Sequence, residues 1–181
     1  MKMLLRARFG FDRWHLFTLT EREYAKDIIR YCNGRQSRDR FAEIGCGLGD
    51  ISRNVRFGER YGYDSDESVL KAARFLSRIT GQRKIWFAPF CFPASPLSGN
   101  FDVILLVNWI HLVEPAVLKK GIEDYFSCCL CAGGAIIIDT VQDPEYRYNH
   151  DIRYLTAGIP AIVTSLGEYE RQRQIWLIKK N

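Results

Sequence analysis

Long uninterrupted apolar runs are missing from this sequence. No stretch of about 18 apolar residues occurs, so no segment is expected to span a membrane. The first residues, MKMLLRARFGF, hold a short apolar run broken by arginines and make a poor signal peptide. Dense blocks of one charge are missing too: the net charge is +5, but acidic and basic residues are interspersed, which permits a nucleic-acid partner without demanding one. The most basic stretch, Lys2, Arg6, Arg8 and Arg13, reads as a solvated face. Histidine is scarce, at three residues, and Cys128-x-x-Cys131 has neither a second cysteine pair nor a nearby histidine, which argues against a zinc site. No metal is expected. The chain is too long and too apolar to need disulfides, so its six cysteines are read as reduced and buried in a cytoplasmic protein. Internal repeats, low-complexity tracts and linkers are absent, so residues 1–181 are expected to form one domain.

What is present is organised around Phe41 to Asp50, FAEIGCGLGD. An apolar run leads into Gly45, Gly47 and Gly49 at alternate positions, then the apolar pattern resumes at Ile51. This predicts a buried strand over 41–44, a turn that brings backbone close to something, and a short helix over 51–55. Glycine suits such a turn because it adopts positive φ and has no Cβ to block an approach.

Thr20 and Glu23 have capping-box spacing, and Tyr24, Ile28, Tyr31 and Cys32 recur at helical intervals up to Asn33-Gly34. The aromatic residues before them, Phe9, Phe11, Trp14 and Phe17, show no clear period. Segment 1–34 therefore reads as a helical lid over a ligand site, or as core packing around its helix. A second strand, 60–63, ends on Asp64. Asp66 should cap a helix whose face is Val69, Ala72, Ala73, Leu76 and Ile79, closed by Gly81.

A third strand spans 84–88, followed by a loop over 89–100. FDVILLV, 101–107, is nearly continuous apolar, as in a central strand covered on both faces. Asp102, just past a turn, is expected to tie down local backbone. Pro115 should open a helix carrying Leu118, Ile122, Tyr125, Phe126 and Cys129, ended by Gly133-Gly134 and followed by a strand over 135–139. A short helix ending at Gly158 precedes two strands, 161–166 and 173–179. Their connection is too short for a helical crossover, so they should be antiparallel. The fold class is α/β: a doubly wound, seven-stranded, mostly parallel sheet with an antiparallel C-terminal pair and helices on both faces.

In such sheets ligands lie beyond the carboxyl ends of the strands. Asp64, nineteen residues past Gly45, suits the hydroxyls of a ribose. The glycine spacing is G-x-G-x-G preceded by Glu43, not the G-x-G-x-x-G of a dinucleotide site. A carboxylate there would repel pyrophosphate and favour a ligand bearing an ammonium and a positive sulfur.

On these residues the sequence resembles a class I S-adenosylmethionine-dependent methyltransferase. The matching stretches are Glu43-x-Gly45-x-Gly47-x-Gly49, Gly62-Tyr63-Asp64, Phe101 through Asn108, and Leu130-Cys131-Ala132-Gly133-Gly134, together spanning roughly 40–140. The resemblance implies S-adenosylmethionine as cofactor and S-adenosylhomocysteine as product. It implies that Gly45, Cys46 and Gly47, with Gly49 completing the turn, line the methionine part, that Glu43 orients its ammonium, that Asp64 accepts from the ribose, and that Ser65 lies beside the adenine. It places Asn108 and Trp109 near the sulfonium and the acceptor. It also makes His111 the general base for a hydroxyl, a reading that competes with a histidine packed under the next helix. His15 and His150 lie in segments whose relation to the pocket is open.

One departure stands out: no acidic residue follows the third strand, where Ala88-Pro89-Phe90-Cys91-Phe92 stands, so Phe90 is expected to pack against adenine instead. With no N/D-P-P-Y run, the expected acceptor is a small molecule, a sugar or secondary-metabolite hydroxyl or amine. Two alternatives stand beside it: a non-catalytic subunit of the same fold that binds a partner, and an RNA methyltransferase. The oligomeric state is left open.

Overall fold

Five parallel-type strands and two antiparallel ones were expected, and seven strands are found. The structure is a computed structural model describing residues 1–181. Its strands run in the order β3-β2-β1-β4-β5-β7-β6 in one mixed sheet. They are β1 Arg40–Ile44, β2 Glu59–Asp64, β3 Ile85–Pro89, β4 Phe101–Leu106, β5 Leu130–Thr140, β6 Ala161–Tyr169 and β7 Arg173–Lys180. By its contacts the chain divides into two compact units, 1–91 and 92–181.

In the first unit β1, β2 and β3 pair in parallel. The helices are α1 Lys2–Phe9, α2 Glu23–Gly34 and α3 Glu67–Ile79. Asp66 caps α3 as expected, accepting the Ser68 N–H at 2.8 Å. The buried arc of α3 takes in Val69, Leu70, Ala72, Ala73, Leu76 and Ser77. That arc is centred between Val69 and Ala73, which leaves Ile79 past its edge and 52% exposed, contrary to its place in the expected face. The capping box also shifts. Thr18 and Glu21 form it around a 3-10 turn, Leu19–Glu21, while α2 starts after Arg22 without a side-chain cap. The sequence TLTE holds two overlapping T-x-x-E frames with the glutamate that follows, and the chain uses the first. Of the N-terminal aromatic residues without visible period, Phe9 ends α1, which Gly10 closes in the left-handed region (φ 77°), and Trp14 lies in a 3-10 turn, Arg13–Leu16. Leu5 and Phe11 join Leu48, Val69, Ala72 and Leu76 in one buried cluster.

In the second unit β4 and β5 are parallel, and β7 lies between β5 and β6, antiparallel to both. Every residue of β4 is buried, as its apolar run requires. Helix α4, Pro115–Cys128, ends five positions before Gly133, and α5 is short, Ile152–Thr156. The glycine pair does not end a helix. It lies within β5, where the register slips: Phe101 pairs with Leu130 but Val103 with Ala135. Gly133, at φ 71°, takes the positive dihedral that such a bulge needs. The expectation of uniformly buried cysteines also fails. Cys32, Cys46 and Cys129 are buried, but Cys91 and Cys128 are exposed because both sit where an element gives way to a loop or turn. No helix is long and apolar enough to cross a membrane.

Candidate active site

The glycine turn follows β1 directly. The N–H groups of Gly45 and Cys46 both donate to the carbonyl of Tyr63, at 2.8 Å each, fastening the turn to the end of β2. Gly45, Gly47 and Gly49 all have positive φ (76°, 54° and 71°), so the turn needs glycine for its backbone alone. The segment after it is a run of turns over 51–54, not the expected helix. Bonds from Arg53 to Gly49 and from Val55 to Ile51 are helical, but Asn54 reaches Ile51 instead of Asp50, and the span is too short to propagate.

Ser52 within this segment explains Glu43. The Glu43 carboxylate accepts the Ser52 N–H at 3.0 Å and the Ser52 hydroxyl. It is 4% exposed. Burial pushes its pKa up to about 7, against the lowering effect of the two Ser52 hydrogen bonds. Neither the expected contact to a ligand ammonium nor an ion pair is needed to place it: Ser52 receives it. The neighbouring Asp50 is held by Lys2 and Arg53, each at 2.6 Å, so the N-terminal helix is tied to the turn.

Asp64 ends β2 at 9% exposure. Its Oδ2 accepts the Gly47 N–H at 2.8 Å and its Oδ1 the Asp66 N–H at 3.1 Å. A carboxylate offers about four acceptor positions, so these two bonds orient it and leave capacity for hydroxyl donors. Ser65, next in sequence, is exposed. Phe90 is buried; its N–H donates to the Asp64 carbonyl at 2.9 Å and its ring lies 5.3 Å from that of Tyr63.

The glycines divide by what faces them. A Cβ on Gly49 or on Gly62 would sit 2.6 Å from the Phe87 ring, so both exist to seat Phe87. A Cβ on Gly47 would meet His15 Nδ1 at 2.7 Å. His15 belongs to a 3-10 turn, Arg13–Leu16, whose start is capped by Asp12. Burial lowers its pKa, opposed chiefly by the carboxylates of Asp64 and Asp66. The N-terminal segment thus lies over the glycine turn. No pattern around His15 ties it to the glycine turn, and only the Asp12 cap after the Gly10 stop hints at the turn that aims it.

In the second unit, Asn108 follows β4 in the left-handed region (φ 78°) and is exposed. Its N–H donates to Asp139 Oδ1 at 3.0 Å. Asp139, 1% exposed, also pairs with Arg173. Neither residue was singled out from the sequence, because Asp139 reads as the end of an apolar strand. Trp109 packs edge-on to Phe92, ring centroids 5.4 Å apart. His111 is half-buried in a 3-10 turn, Ile110–Leu112, and stacks on Tyr146 at 4.0 Å and 13°. It is therefore held by the 142–151 segment. Burial lowers its pKa, and the positive charges of Arg173 and His150 lower it further. His150 is buried with Nε2 2.8 Å from the Ile110 carbonyl, and it supports the turn that carries His111. Asp102 is buried. No three His, Cys, Asp or Glu side chains are grouped so as to hold a metal ion.

The strand order, the glycine turn after β1 and the carboxylate ending β2 define the class I S-adenosylmethionine-dependent methyltransferase fold. Solved structures bear this out. The N-methyltransferase NodS from Bradyrhizobium japonicum, in complex with S-adenosyl-L-homocysteine, is similar at TM-score 0.75 and 16% identity, over 99% of this chain and 97% of that one. Magnesium protoporphyrin IX methyltransferase from Synechocystis, with bound S-adenosylhomocysteine, is similar at 0.74 and 15% identity over 100% of both chains. A S-adenosylmethionine-dependent methyltransferase from Clostridium acetobutylicum is similar at 0.67 and 17%, over 97% and 94%. No model of a protein family and no curated protein matches the chain.

Proposed function

We propose that this chain is an S-adenosylmethionine-dependent methyltransferase acting on a small-molecule hydroxyl or amine. The observation that carries the reading is the Asp64 carboxylate, oriented by two backbone N–H groups at the end of β2 and joined through Gly47 to the glycine turn. The fold's likeness to methyltransferases crystallised with S-adenosylhomocysteine supports the same reading.

The residues fit such a cofactor. Asp64 keeps acceptor capacity for two ribose hydroxyls, Gly45 and Gly47 put no Cβ into the turn, whose Gly47 side is covered by His15 and opens when that ring moves aside, and Phe90 offers an apolar surface next to Asp64 in place of an acidic adenine contact. When bound, the cofactor supplies an electrophilic methyl on a positive sulfur. The protein's task is then to orient the partners and exclude water. Cys46 contributes backbone and a buried thiol held protonated by its burial. Glu43 acts at one remove, by fixing Ser52 and the segment after the turn.

In the second unit Asn108 and Trp109 are the proposed contacts for the acceptor. Asp139 fixes the Asn108 backbone, so its left-handed geometry persists without ligand. His111 is the proposed base. Its lowered pKa keeps it neutral near pH 7, ready to take the proton of a hydroxyl, and Tyr146 holds its ring plane. Titration with S-adenosylhomocysteine tests the reading: one-to-one binding that Asp64→Ala weakens supports it, and no binding removes it in favour of a partner-binding subunit.

A further inference from the structure

The end of the first unit opposite the glycine turn gathers positive charge that is scattered in the sequence. β1, β2 and β3 are parallel, so their first residues lie side by side. The chain leading into each strand is basic: Arg38 and Arg40 at β1, Arg56 before β2, Arg83 and Lys84 before β3. These lead-ins touch, since the Gly58 N–H donates to the Arg38 carbonyl at 2.9 Å and the Arg60 N–H to the Lys84 carbonyl at 3.0 Å. Arg56, Arg83 and Lys84 are exposed. The carboxylates at this end are Asp39 and Glu59, and Glu59 is already engaged by Arg40 at 3.1 Å and by the Tyr61 hydroxyl at 2.8 Å.

A stack of flat groups runs across the same strands. The Arg40 guanidinium lies 5.1 Å from the Tyr61 ring centroid, on the β1 side. On the β3 side Tyr61 stacks on its register partner Trp86, centroids 5.2 Å apart and planes 22° apart. Tyr63, two residues along β2, lies nearly parallel to Tyr61 at 6.4 Å and 10°. Trp86 ends the row on the edge strand and is 47% exposed. A cross-strand aromatic pair would stabilise the edge in any case. A guanidinium, a phenol and a half-exposed indole in one row, bordered by exposed cations, go beyond what an edge needs.

We propose that this end of the β1–β3 edge binds single-stranded nucleic acid. A base would extend the stack beyond Trp86, while the cations at the strand starts hold the backbone phosphates. Stacking on aromatic side chains accepts any base, and phosphate contacts supply affinity and salt dependence. The surface is built from the first unit alone and does not depend on the proposed methyl transfer.

The test is fluorescence anisotropy of the full chain with labelled single-stranded RNA and DNA of about 12 nucleotides. Binding of either strand that falls steeply between about 50 and 200 mM salt is expected. Trp86→Ala should weaken it by about fivefold or more, and quenching of tryptophan emission on binding should be smaller in that variant. Arg83→Glu with Lys84→Glu, both on exposed positions, should weaken it about tenfold or more and flatten the salt dependence. Circular dichroism melts establish that each variant is folded. No binding at low salt overturns the proposal, as does binding that Trp86→Ala leaves unchanged in a folded variant. Concentration-dependent self-association abolished by Trp86→Ala, without nucleic-acid binding, overturns it too and assigns the face to a second copy of the chain.

Discussion

The Gly47 N–H donates to Oδ2 of Asp64 at 2.8 Å. One hydrogen bond therefore joins the turn after β1 to the carboxylate ending β2, and with the Asp66 N–H on Oδ1 it fixes the direction in which that carboxylate faces. Asp64→Ala leaves two N–H groups without their acceptor, which should cost about 1–3 kcal/mol of stability. It should also weaken S-adenosylhomocysteine by about tenfold or more. Asp64→Asn keeps one acceptor and should fall between the two in both measurements. Urea unfolding and calorimetry on the same samples separate the effects.

Glu43 gives the fold a pH dependence. Its folded pKa is raised from 4.5 to about 7 by burial, so the folded state holds the proton more tightly than the unfolded chain. Its contribution is fully present below about pH 4.5 and is lost as pH rises through about 7, a change of about 3 kcal/mol. Glu43→Gln retains an acceptor for Ser52 and has no charge to bury. Unfolding by urea at several pH values should show the wild type losing stability relative to Glu43→Gln between pH 4.5 and 7. A constant difference across that range contradicts the assignment.

Gly62→Ala tests the seat of Phe87. The new methyl would lie 2.6 Å from the Phe87 ring and 3.0 Å from Cys46 Sγ. The expected loss is about 1–3 kcal/mol, from overpacking a core. Combining it with Phe87→Leu should recover part of the loss, since the two sites share one space. Strict additivity of the two substitutions in thermal melts would show that the glycine serves another purpose.

His111 as base predicts a pH–rate profile for transfer to a hydroxyl acceptor. Burial, Arg173 and His150 hold its pKa below 6.5, so kcat should fall only as pH drops below that value, where the ring gains its proton. His111→Gln should lower kcat about a hundredfold and abolish that limb of the profile. Tyr146→Ala frees the ring from its stack, and should lower kcat while shifting the limb toward the ordinary histidine value.

Much of this architecture is legible in the chain. Period and punctuation located all seven strands, because Phe101 to Val107 and Phe41 to Ile44 are apolar runs bounded by turn residues, and Asp66 announces α3. What failed was decided by contacts between distant residues. Gly133-Gly134 reads as a helix stop until the β4–β5 register shows a bulge. Ile51 to Val55 reads as a helix until Glu43 is seen to claim Ser52. Glu43, Asp64 and Asn108 were singled out from the sequence as site candidates, but the groups that position them were not. His15 reaches Gly47 from a segment without period, and Asp139 and Arg173 pair across two strands whose adjacency no local pattern states.

The most direct measurement is calorimetric titration of the intact chain with S-adenosylhomocysteine, alongside Asp64→Ala shown to be folded. Saturable one-to-one binding by the wild type and a much weaker isotherm for the variant are expected. Absence of heat from the folded wild type, or equal affinity in the two proteins, would contradict the cofactor assignment.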